Sequence, residues 1–306
     1  QPAPAPLPPG LVCKDAQLVT RRTPHGFYAV NWKRLPSAEA APALALVIPT
    51  ANTHLTDCLA NLETRFAPYP PSHAVRTSSV LAFDKGFATA AVVMEARALP
   101  HEDAYGHGVE HSLLSALAPD GRSFLMWQRA IATRRINIER VDSLNLNIAR
   151  DIFNDNGYTL ATAAGERFVG PGQIDGEAAI PGPWANFSGQ LAVLRLAGAE
   201  AMTLHMRDAR NRAYGTLRVD LLSCSTPVLH PAREGQVLIE NAWLFVPGLP
   251  AQETPAFHDT CALESRSLED GARSLRLTLP GDRICEITAG FASPDLPLKM
   301  RAQGAW

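Results

Sequence analysis

A succession of short apolar or alternating segments, separated by turn residues, constrains the fold of this sequence more than any other feature. It starts after Pro71 and continues almost to the C-terminus. Three glycine-containing turns, Asp84-Lys85-Gly86, Pro119-Asp120-Gly121 and Pro280-Gly281-Asp282, each lie between two such segments. Glycine supplies the positive φ that tight hairpin turns need. The sequence therefore predicts three β-hairpins, formed by residues 80–83 with 87–98, 109–118 with 122–131, and 274–279 with 283–288.

Further strands are predicted on similar grounds. Ile136 and Ile138, and then Leu144, Leu146 and Ile148, alternate with polar residues, as half-buried strands do. Other segments of strand length are apolar or rich in β-branched and aromatic residues, and turn signals separate them. These predicted strands lie at residues 18–35 (around a turn at 24–26), 191–196, 202–206, 214–222 and 237–246.

One helix is predicted, near residues 53–66. Asn52 or Thr53 can cap it, apolar residues recur at helical spacing, and Pro68 ends it. The glycine- and proline-rich stretch at residues 165–182 predicts a long surface loop or a sheet-to-sheet crossing. Strands and helices do not alternate, so the predicted fold class is all-β: a large antiparallel β-sandwich, or supersandwich, with one short helix.

The 306 residues are enough for one large β domain or two ordinary ones, and the continuous β pattern favours one. The start of the chain is rich in Pro and Ala, which predicts an extended, poorly ordered segment. We therefore expect a disordered lead at residues 1–12 and a single large β-sandwich domain at residues 13–306.

The charges are nearly balanced, with 28 Lys plus Arg against 30 Asp plus Glu, and there is no polybasic run. This balance gives no electrostatic reason to expect nucleic acid or an anionic membrane surface as a partner. The longest apolar run, residues 43–48, stops at Pro49 and is far shorter than the roughly 20 residues of a membrane-spanning helix. We expect no nucleic acid partner and no membrane insertion.

The sequence begins with Gln rather than Met, and a Pro/Ala tract follows. Such a start is typical of a mature protein whose signal peptide has been removed, so we expect a periplasmic or secreted protein. The five cysteines, Cys13, Cys58, Cys224, Cys261 and Cys285, have neither C-x-x-C nor zinc-finger spacing. An oxidising compartment would allow one or two disulfides with one thiol left over, and the sequence does not define the pairing.

Titratable side chains are most concentrated at residues 101–111. This segment contains His101, His107 and His111 together with Tyr105, three carboxylates and two glycines. Histidine changes its charge near neutral pH and is the commonest nitrogen ligand for metals, so the cluster is a candidate site. If a strand starts at His107, then His107 and His111 project from one face and Glu110 from the other. The segment also fits a polar loop whose histidines are solvated.

Several cofactor and nucleophile motifs are absent from the sequence. It contains no Gly-rich phosphate loop, no dinucleotide fingerprint, no G-x-S-x-G elbow and no H-E-x-x-H. We therefore predict no cofactor. Acid–base chemistry on carbohydrates remains, because two carboxylates, or a His and Tyr pair, can perform it without one.

Three segments carry a resemblance: LNLNIARDIFN at residues 144–154, PWANFSGQLAV at 183–193 and IENAWLFVPG at 239–248. Together they resemble the large β-sandwich modules of polysaccharide lyases, heparinase II/III-like and hyaluronate or chondroitin lyase-like, with a galactose-mutarotase-like supersandwich. The resemblance covers roughly residues 80–250 and implies that fold and a carbohydrate context. It departs from the family twice. The 306 residues leave no room for the helical toroid that these lyases usually carry ahead of the sandwich, and the His and Glu of the mutarotase-type relatives have no match here. It therefore implies no catalytic assignment.

A lyase that cleaves a uronic-acid polymer needs a base for the C5 proton, a group that neutralises the carboxylate, and an acid for the leaving oxygen. Histidine or tyrosine can supply the base, tyrosine the acid, and arginine a bidentate partner for the carboxylate. The arginines concerned also fit a solvated strand edge. The candidate catalytic residues are His101, Tyr105, His107, His111, Arg134 and Arg135.

Three further residues are candidates for substrate binding. Asn145 and Asn147 share a strand face and could bond sugar hydroxyls, although such residues are also common on the wet side of a sheet. Trp184 follows a Gly/Pro-rich stretch and could stack on a sugar ring, or it could pack in the core. A metal site built from the three histidines of residues 101–111 is a more specific alternative. The residues that would hydrogen-bond to these histidines and orient them are not evident from the sequence, and we predict no metal.

Two functions follow from these features. The first is an exported carbohydrate-active protein that acts on a polysaccharide by acid–base chemistry, through β-elimination of a uronic-acid polymer or glycoside hydrolysis. The alternative is a non-catalytic β-sandwich module that binds a glycan or a protein. Such a module could also be the C-terminal part of a larger enzyme.

Overall fold

A computed structural model of the chain describes residues 10–13, 18–31, 43–47, 58–65, 71–83, 86–97, 108–138, 140–150, 157–170, 176–198, 201–206, 218–225 and 229–306. Strands dominate these residues, and the predicted all-β class is confirmed. Every described strand pair is antiparallel.

Nine strands form the first large sheet, here called the front sheet. They are β1 (Gly10–Cys13), β2 (Leu18–Thr23), β3 (Gly26–Asn31), β4 (Ala43–Val47), β5 (Cys58–Arg65), β11 (Arg140–Arg150), β14 (Gly176–Ile180), β17 (Met202–Met206) and β18 (Arg218–Ser225). Their order in the sheet is β1-β2-β3-β4-β5-β11-β18-β17-β14.

Nine more strands form the middle sheet. They are β6 (Pro71–Phe83), β7 (Gly86–Arg97), β8 (Gly108–Leu117), β9 (Phe124–Ala132), β12 (Tyr158–Thr162), β13 (Gly165–Val169), β15 (Trp184–Phe187), β16 (Leu191–Ala197) and β20 (Val237–Pro247). Their order is β13-β12-β15-β16-β20-β9-β8-β7-β6. The hairpins β6–β7 and β8–β9 confirm two of the three hairpin predictions.

The remaining elements are smaller. The back sheet has four strands, β21 (Ala262–Ser267), β22 (Arg273–Leu279), β23 (Arg283–Ala289) and β24 (Leu298–Gln303), and its β22–β23 pair is the third predicted hairpin. A two-stranded ribbon joins β10 (Ile136–Ile138) to β19 (Leu229–Ala232). The α-helix α1 (Thr254–Thr260) follows a 3-10 turn at Ala251–Glu253.

The middle sheet is covered on both faces. Leu113 and Leu117 of β8 belong to the front core, which also contains residues of the front sheet such as Leu146 and Leu222. Leu114, the residue after Leu113, belongs instead to a second cluster, the back core, which includes residues of the back sheet. Successive strand residues point to opposite faces, so each middle strand contributes to both cores. The sequence pattern of these strands is consequently apolar on both faces rather than alternating.

The predicted helix near residues 53–66 is wrong in position. Residues 58–65 form strand β5, which pairs with β4 on one side and β11 on the other, through Ala60 with Leu44 and Asn61 with Asn145. The hydrogen bonds to these two neighbouring strands favour the extended conformation. The helical spacing of apolar residues does not distinguish a helix from a strand in a segment this short. The one α-helix of the described residues is α1, whose start carries Pro255, a residue favoured in the first helical turn.

One further prediction differs from the structure. Strand β1 begins at Gly10, inside the segment predicted as a disordered lead, because Leu11 and Val12 pair with Thr20 and Val19 of β2. At residues 165–182 the sheet-to-sheet crossing is the correct alternative and the long loop is wrong, because strand β13 lies at the edge of the middle sheet and strand β14 at the edge of the front sheet. The division into a lead and a single domain at residues 13–306 stays a prediction.

The described cysteines bear on the compartment prediction. Cys13, Cys261 and Cys285 are free thiols, whereas the side chain of Cys58 lies outside the described residues. No helix among the described residues has the length and apolar character needed to cross a membrane.

Candidate functional site

The structure describes one of the three clustered histidines. His101 and His107, with Tyr105, lie outside the described residues, and β8 begins directly after them at Gly108. His111 is fully buried on the same face of β8 as Leu113. The Gln128 amide Nε2 lies 3.0 Å from His111 Nδ1, and because that amide nitrogen can only donate, Nδ1 is the acceptor.

The other predicted site residues lie on separate parts of the fold. Arg134 is half-buried and Arg135 is exposed in the bend between β9 and β10. Asn145 and Asn147 lie on β11, where the register pairs them with Ser223 and Leu221, but their side chains are outside the described residues. Trp184 is 7% exposed and packs in the back core, so a sugar could stack on it only if that core opened. His111 and Trp184 face opposite sides of the middle sheet and do not form one site.

An open cleft of about 420 Å³ lies between the β6 edge of the middle sheet and the loop that joins β23 to β24. Glu110, the carboxylate on the face of β8 opposite His111, lies in this cleft together with Arg76, Thr77 and Val92. Residues 291–294 form the facing wall. We call this feature the edge cleft. Sequence reasoning predicted the orientation of Glu110 but did not predict the cleft.

A β-bulge aims Arg76 into the edge cleft. Val75 pairs with Val93 and Thr77 with Val92, which leaves Arg76 as the extra residue of β6. Bulges of this kind redirect a side chain and are common beside functional sites. Arg76 Nη1 lies 2.7 Å from Glu110 Oε2, with side-chain exposures of 62% and 30%. The pair therefore stays within reach of a ligand.

Charged residues continue from the edge cleft across the same face of the sheet. The register places Ser112 opposite Arg129, and Arg129 opposite Glu240. Arg129 Nε lies 3.4 Å from Glu240 Oε2, and Arg273 Nη2 lies 3.3 Å from the same oxygen. With Arg76 and Glu110, this row has three guanidinium groups and two carboxylates, which leaves one net positive charge.

Aromatic rings and hydrogen bonds define the far wall of the edge cleft. The ring of half-buried Phe291 lies 5.7 Å from the ring of Trp127, centroid to centroid. The β23–β24 loop is tied to strand β6, because Thr77 Oγ1 donates to the Pro294 carbonyl at 3.0 Å and Ser79 Oγ to the Leu296 carbonyl at 2.6 Å. The wall is therefore held in place by β6 itself.

A second polar group lies on the outer face of the front sheet, which we call the relay. It comprises Glu177 on β14, His205 on β17 and Ser223 on β18. His205 Nδ1 lies 2.8 Å from Glu177 Oε1, and His205 Nε2 lies 2.7 Å from Ser223 Oγ. Leu204 and Leu222, the neighbours in sequence, face the front core, so the relay faces away from the middle sheet.

Buried polar groups also line the front face of the middle sheet near His111. Gln128 and Asn241 are fully buried and directly opposite each other on β9 and β20. Gln128 Oε1 and the side-chain oxygen and nitrogen of Asn241 have no hydrogen-bond partner among the described residues. An unsatisfied buried amide costs stability, so this part of the core is less stable than an apolar one of equal shape.

Burial controls the reactivity of two thiols. Desolvation raises the pKa of Cys285 to about 12, and the nearby Asp120 carboxylate acts in the same direction. Desolvation also raises the pKa of Cys261 to about 12, partly offset by the Arg283 guanidinium. Both are neutral thiols at physiological pH, and neutral thiols are poor nucleophiles and poor metal ligands.

The described residues contain no group of three or more His, Cys, Asp or Glu side chains that could hold a metal ion. Two of the three histidines of the alternative metal site, His101 and His107, are outside those residues. The described member, His111, is bonded to Gln128 in the front core.

No protein-family model matches this sequence, and no curated protein matches it. Solved structures that are similar to this chain include three glycoside hydrolases. The GH36 α-galactosidase AgaB from Geobacillus stearothermophilus has 7% identity and a TM-score of 0.49, over 79% of this chain and 41% of its own. The GH36 α-galactosidase AgaA from the same organism has 8% identity and a TM-score of 0.46, over 76% and 41%. A glycoside hydrolase family 97 enzyme from a Pseudoalteromonas species, in complex with acarbose, has 10% identity and a TM-score of 0.36, over 78% and 35%.

The chain thus spans about two fifths or less of the length of these glycoside hydrolases. Similarity at this level does not assign an activity. None of the three is a polysaccharide lyase, and the lyase resemblance of the sequence stays a prediction.

Proposed function

We propose that this chain is an exported, carbohydrate-active β-sandwich protein that binds an acidic polysaccharide in the edge cleft. The observation that carries the proposal is the Arg76–Glu110 pair, held at 2.7 Å at the mouth of the cleft and partly exposed on both sides. The resemblance of three sequence segments to polysaccharide lyase modules supports the carbohydrate context.

The lining of the edge cleft suits a sugar chemically. Planar guanidinium and carboxylate groups each bond two neighbouring hydroxyls, and hydrogen bonds to charged groups are the stronger ones. Phe291 offers a half-buried ring beside them, and a ring face packs well on the apolar C–H face of a pyranose. The net positive charge of the row that continues through Arg129 and Arg273 favours a sugar that carries a carboxylate, such as a uronic acid.

Within the described lining, binding is better supported than glycoside hydrolysis. Hydrolysis generally requires two carboxylates on either side of the scissile bond. Among the described residues that line the cleft, Glu110 alone carries a carboxylate. We also propose that β-elimination by this protein uses a base from residues 101–107, which end three positions before Glu110 in the chain.

Retention in native gels that contain a polysaccharide tests the binding proposal. The panel should include polygalacturonate, alginate and chondroitin as acidic polymers, and a neutral galactan and glucan. Glu110→Gln keeps the side-chain shape but removes the charge, and Arg76→Met removes the guanidinium with a similar apolar stem. We expect Arg76→Met to weaken binding of an acidic polymer by about tenfold or more, since hydrogen bonds to charged groups contribute roughly 1.5–3 kcal/mol. Glu110→Gln should weaken it less, because this change also removes a negative charge from the row.

A second exposed ion pair supplies the matched control. Arg266 Nη2 lies 2.7 Å from Glu264 Oε2 on β21, outside the cleft lining. Arg266→Met and Glu264→Gln should leave retention unchanged. Equal retention of the cleft variants and the wild type on every polymer would contradict the proposal. Retention of neutral polymers alone would contradict the acidic-sugar part of it.

Absorbance near 235 nm, followed with the same acidic polymers, tests the elimination step, because the unsaturated product absorbs there. A rise that is lost in His107→Ala would support lyase chemistry. A flat trace on polymers that are retained in the gels would identify a binding module.

A further inference from the structure

We infer that the relay of Glu177, His205 and Ser223 is a second, independent site, which hydrolyses carboxylic esters with Ser223 as the nucleophile. It goes beyond the proposed glycan binding. The relay lies on the outer face of the front sheet, whereas the edge cleft lies on the face of the middle sheet that points away from the front sheet.

The hydrogen-bond donors in the relay are set by the chemistry of its groups. An ionised carboxylate only accepts hydrogen bonds, so His205 Nδ1–H donates to Glu177 Oε1 at 2.8 Å. In the neutral ring this fixes Nε2 as the acceptor, and Ser223 Oγ donates to it at 2.7 Å. These contacts have the order and lengths of a serine nucleophile, a base and an orienting carboxylate.

Strand pairing holds the three side chains in place. Glu177 and His205 are directly opposite each other on β14 and β17, and Ser223 lies one diagonal step away on β18. Such neighbours have Cβ atoms close enough to interact across a sheet. Thr203 of β17 is directly opposite Ser223 and is half-buried, so its hydroxyl is the candidate for stabilising an oxyanion among the side chains that the structure describes.

Burial increases from one end of the relay to the other. The side chains of Glu177 and His205 are 73% and 17% exposed, and Ser223 is 4% exposed. The Ser223–His205 bond thus lies in the less solvated part, where electrostatic interactions are stronger. Water screens the Glu177 carboxylate, so removing its charge should slow the reaction less than removing the histidine.

The proposed reaction has two balanced steps. Ser223 Oγ bonds to the acyl carbon while its proton passes to His205 Nε2, the ester C–O bond breaks, and the alcohol leaves with that proton. Water then bonds to the acyl carbon, gives a proton to Nε2, and the acyl–Oγ bond breaks with return of a proton to serine. The products are an alcohol and a carboxylic acid, and nothing is oxidised or reduced.

The first experiment is labelling with a fluorophosphonate probe, followed by peptide mass spectrometry. One equivalent should add to Ser223, and Ser223→Ala should abolish the addition. His205→Asn should slow labelling by about 100-fold or more, since an activated serine depends on its base. Ser267→Ala, an exposed serine at the end of β21, serves as the matched control and should label like the wild type.

The second experiment is hydrolysis of p-nitrophenyl acetate. The rate should disappear in Ser223→Ala, and it should fall less in Glu177→Gln than in His205→Asn. Circular dichroism should show that the variants are folded, and Glu177→Gln provides a variant at an exposed position that does not disturb the core. Label on another residue, label on Ser223 that His205→Asn does not slow, or no label on folded protein would each overturn the inference.

Discussion

The Tyr158 hydroxyl donates a 2.7 Å hydrogen bond to Asp220 Oδ2 between the two large sheets. Tyr158 belongs to the middle sheet and Asp220 to the front sheet, and both are buried, with exposures of 2% and 0%. A carboxylate in this position needs donors, because burial of an unpaired charge is costly. This bond is thus a specific polar link between the two large sheets.

Removing this link should destabilise the fold. We expect Tyr158→Phe to lower the free energy of unfolding by about 1.5–3 kcal/mol, as measured by urea denaturation, because a buried carboxylate loses a donor. Tyr28→Phe is the matched control, since the buried Tyr28 hydroxyl donates to a neutral acceptor, the Arg122 carbonyl, at 3.0 Å. A Tyr28→Phe loss as large as that of Tyr158→Phe would contradict the special role of Asp220.

The unsatisfied amide of Asn241 predicts the opposite effect. Asn241→Leu has a similar shape and removes both orphaned polar atoms from a position with no exposed surface. We expect it to raise the free energy of unfolding by about 1–2 kcal/mol in urea denaturation. Asn186→Leu should do the reverse, because the Asn186 amide donates to the Leu249 carbonyl at 2.9 Å and to Thr254 Oγ1 at 2.7 Å. Destabilisation by Asn241→Leu would show that this amide does have a structural role.

Burial of Cys285 predicts a loss of stability at alkaline pH. Its folded-state pKa is raised from 9.0 to about 12, so the folded protein keeps this proton after the unfolded chain has released it. The unfolded state therefore binds fewer protons, and stability is complete below pH 9 and falls above it. The slope approaches roughly 1.4 kcal/mol per pH unit for this thiol, and Cys261 contributes in the same direction.

Urea denaturation between pH 7.5 and 10.5 measures this effect. Cys285→Ala should show a smaller decline above pH 9 than the wild type, whatever its stability at neutral pH. Parallel curves for the two proteins would contradict the assignment. The native thiol should also resist alkylation by iodoacetamide at pH 8 and react once the protein is unfolded.

The exposed pair in the edge cleft should contribute little to stability. Arg76 is 62% exposed as a side chain, and ion pairs in such positions typically contribute about 0–1 kcal/mol. Arg76→Met should therefore leave the urea midpoint nearly unchanged while it weakens polysaccharide retention. A large shift of the midpoint would mean that the pair holds the fold together, and the binding result would then need a different variant.

Local chemistry explains which elements the sequence could predict. All three predicted hairpins form, and Gly121 and Gly281 have the positive φ that was expected where the strands reverse. The strand at residues 58–65 could not be predicted in this way, because its two partners, β4 and β11, are decided by sheet order and not by its own spacing of apolar residues.

The candidate sites depend even more on distant pairing. The edge cleft combines Arg76, Glu110 and Phe291, which come from the middle sheet and the β23–β24 loop. The relay was missed because Glu177 lies in a stretch that glycine and proline made resemble a loop, and its partner Ser223 is 46 positions further along the chain. A nucleophile that depends on cross-strand neighbours leaves no contiguous motif.

The sharing of the middle sheet between two cores changes what fixes its register. In an ordinary half-buried strand, a shift in register by one residue is unfavourable because it exposes the apolar side chains to water. In β7 the same slip would exchange two dry faces, with Phe87 and Val93 on one and Ala88 and Ala90 on the other. Side-chain volume, not polarity, must therefore specify the alignment. The small alanines act as spacers that bring the back sheet close, so enlarging one of them should disturb this strand more than replacing a polar residue at the molecular surface.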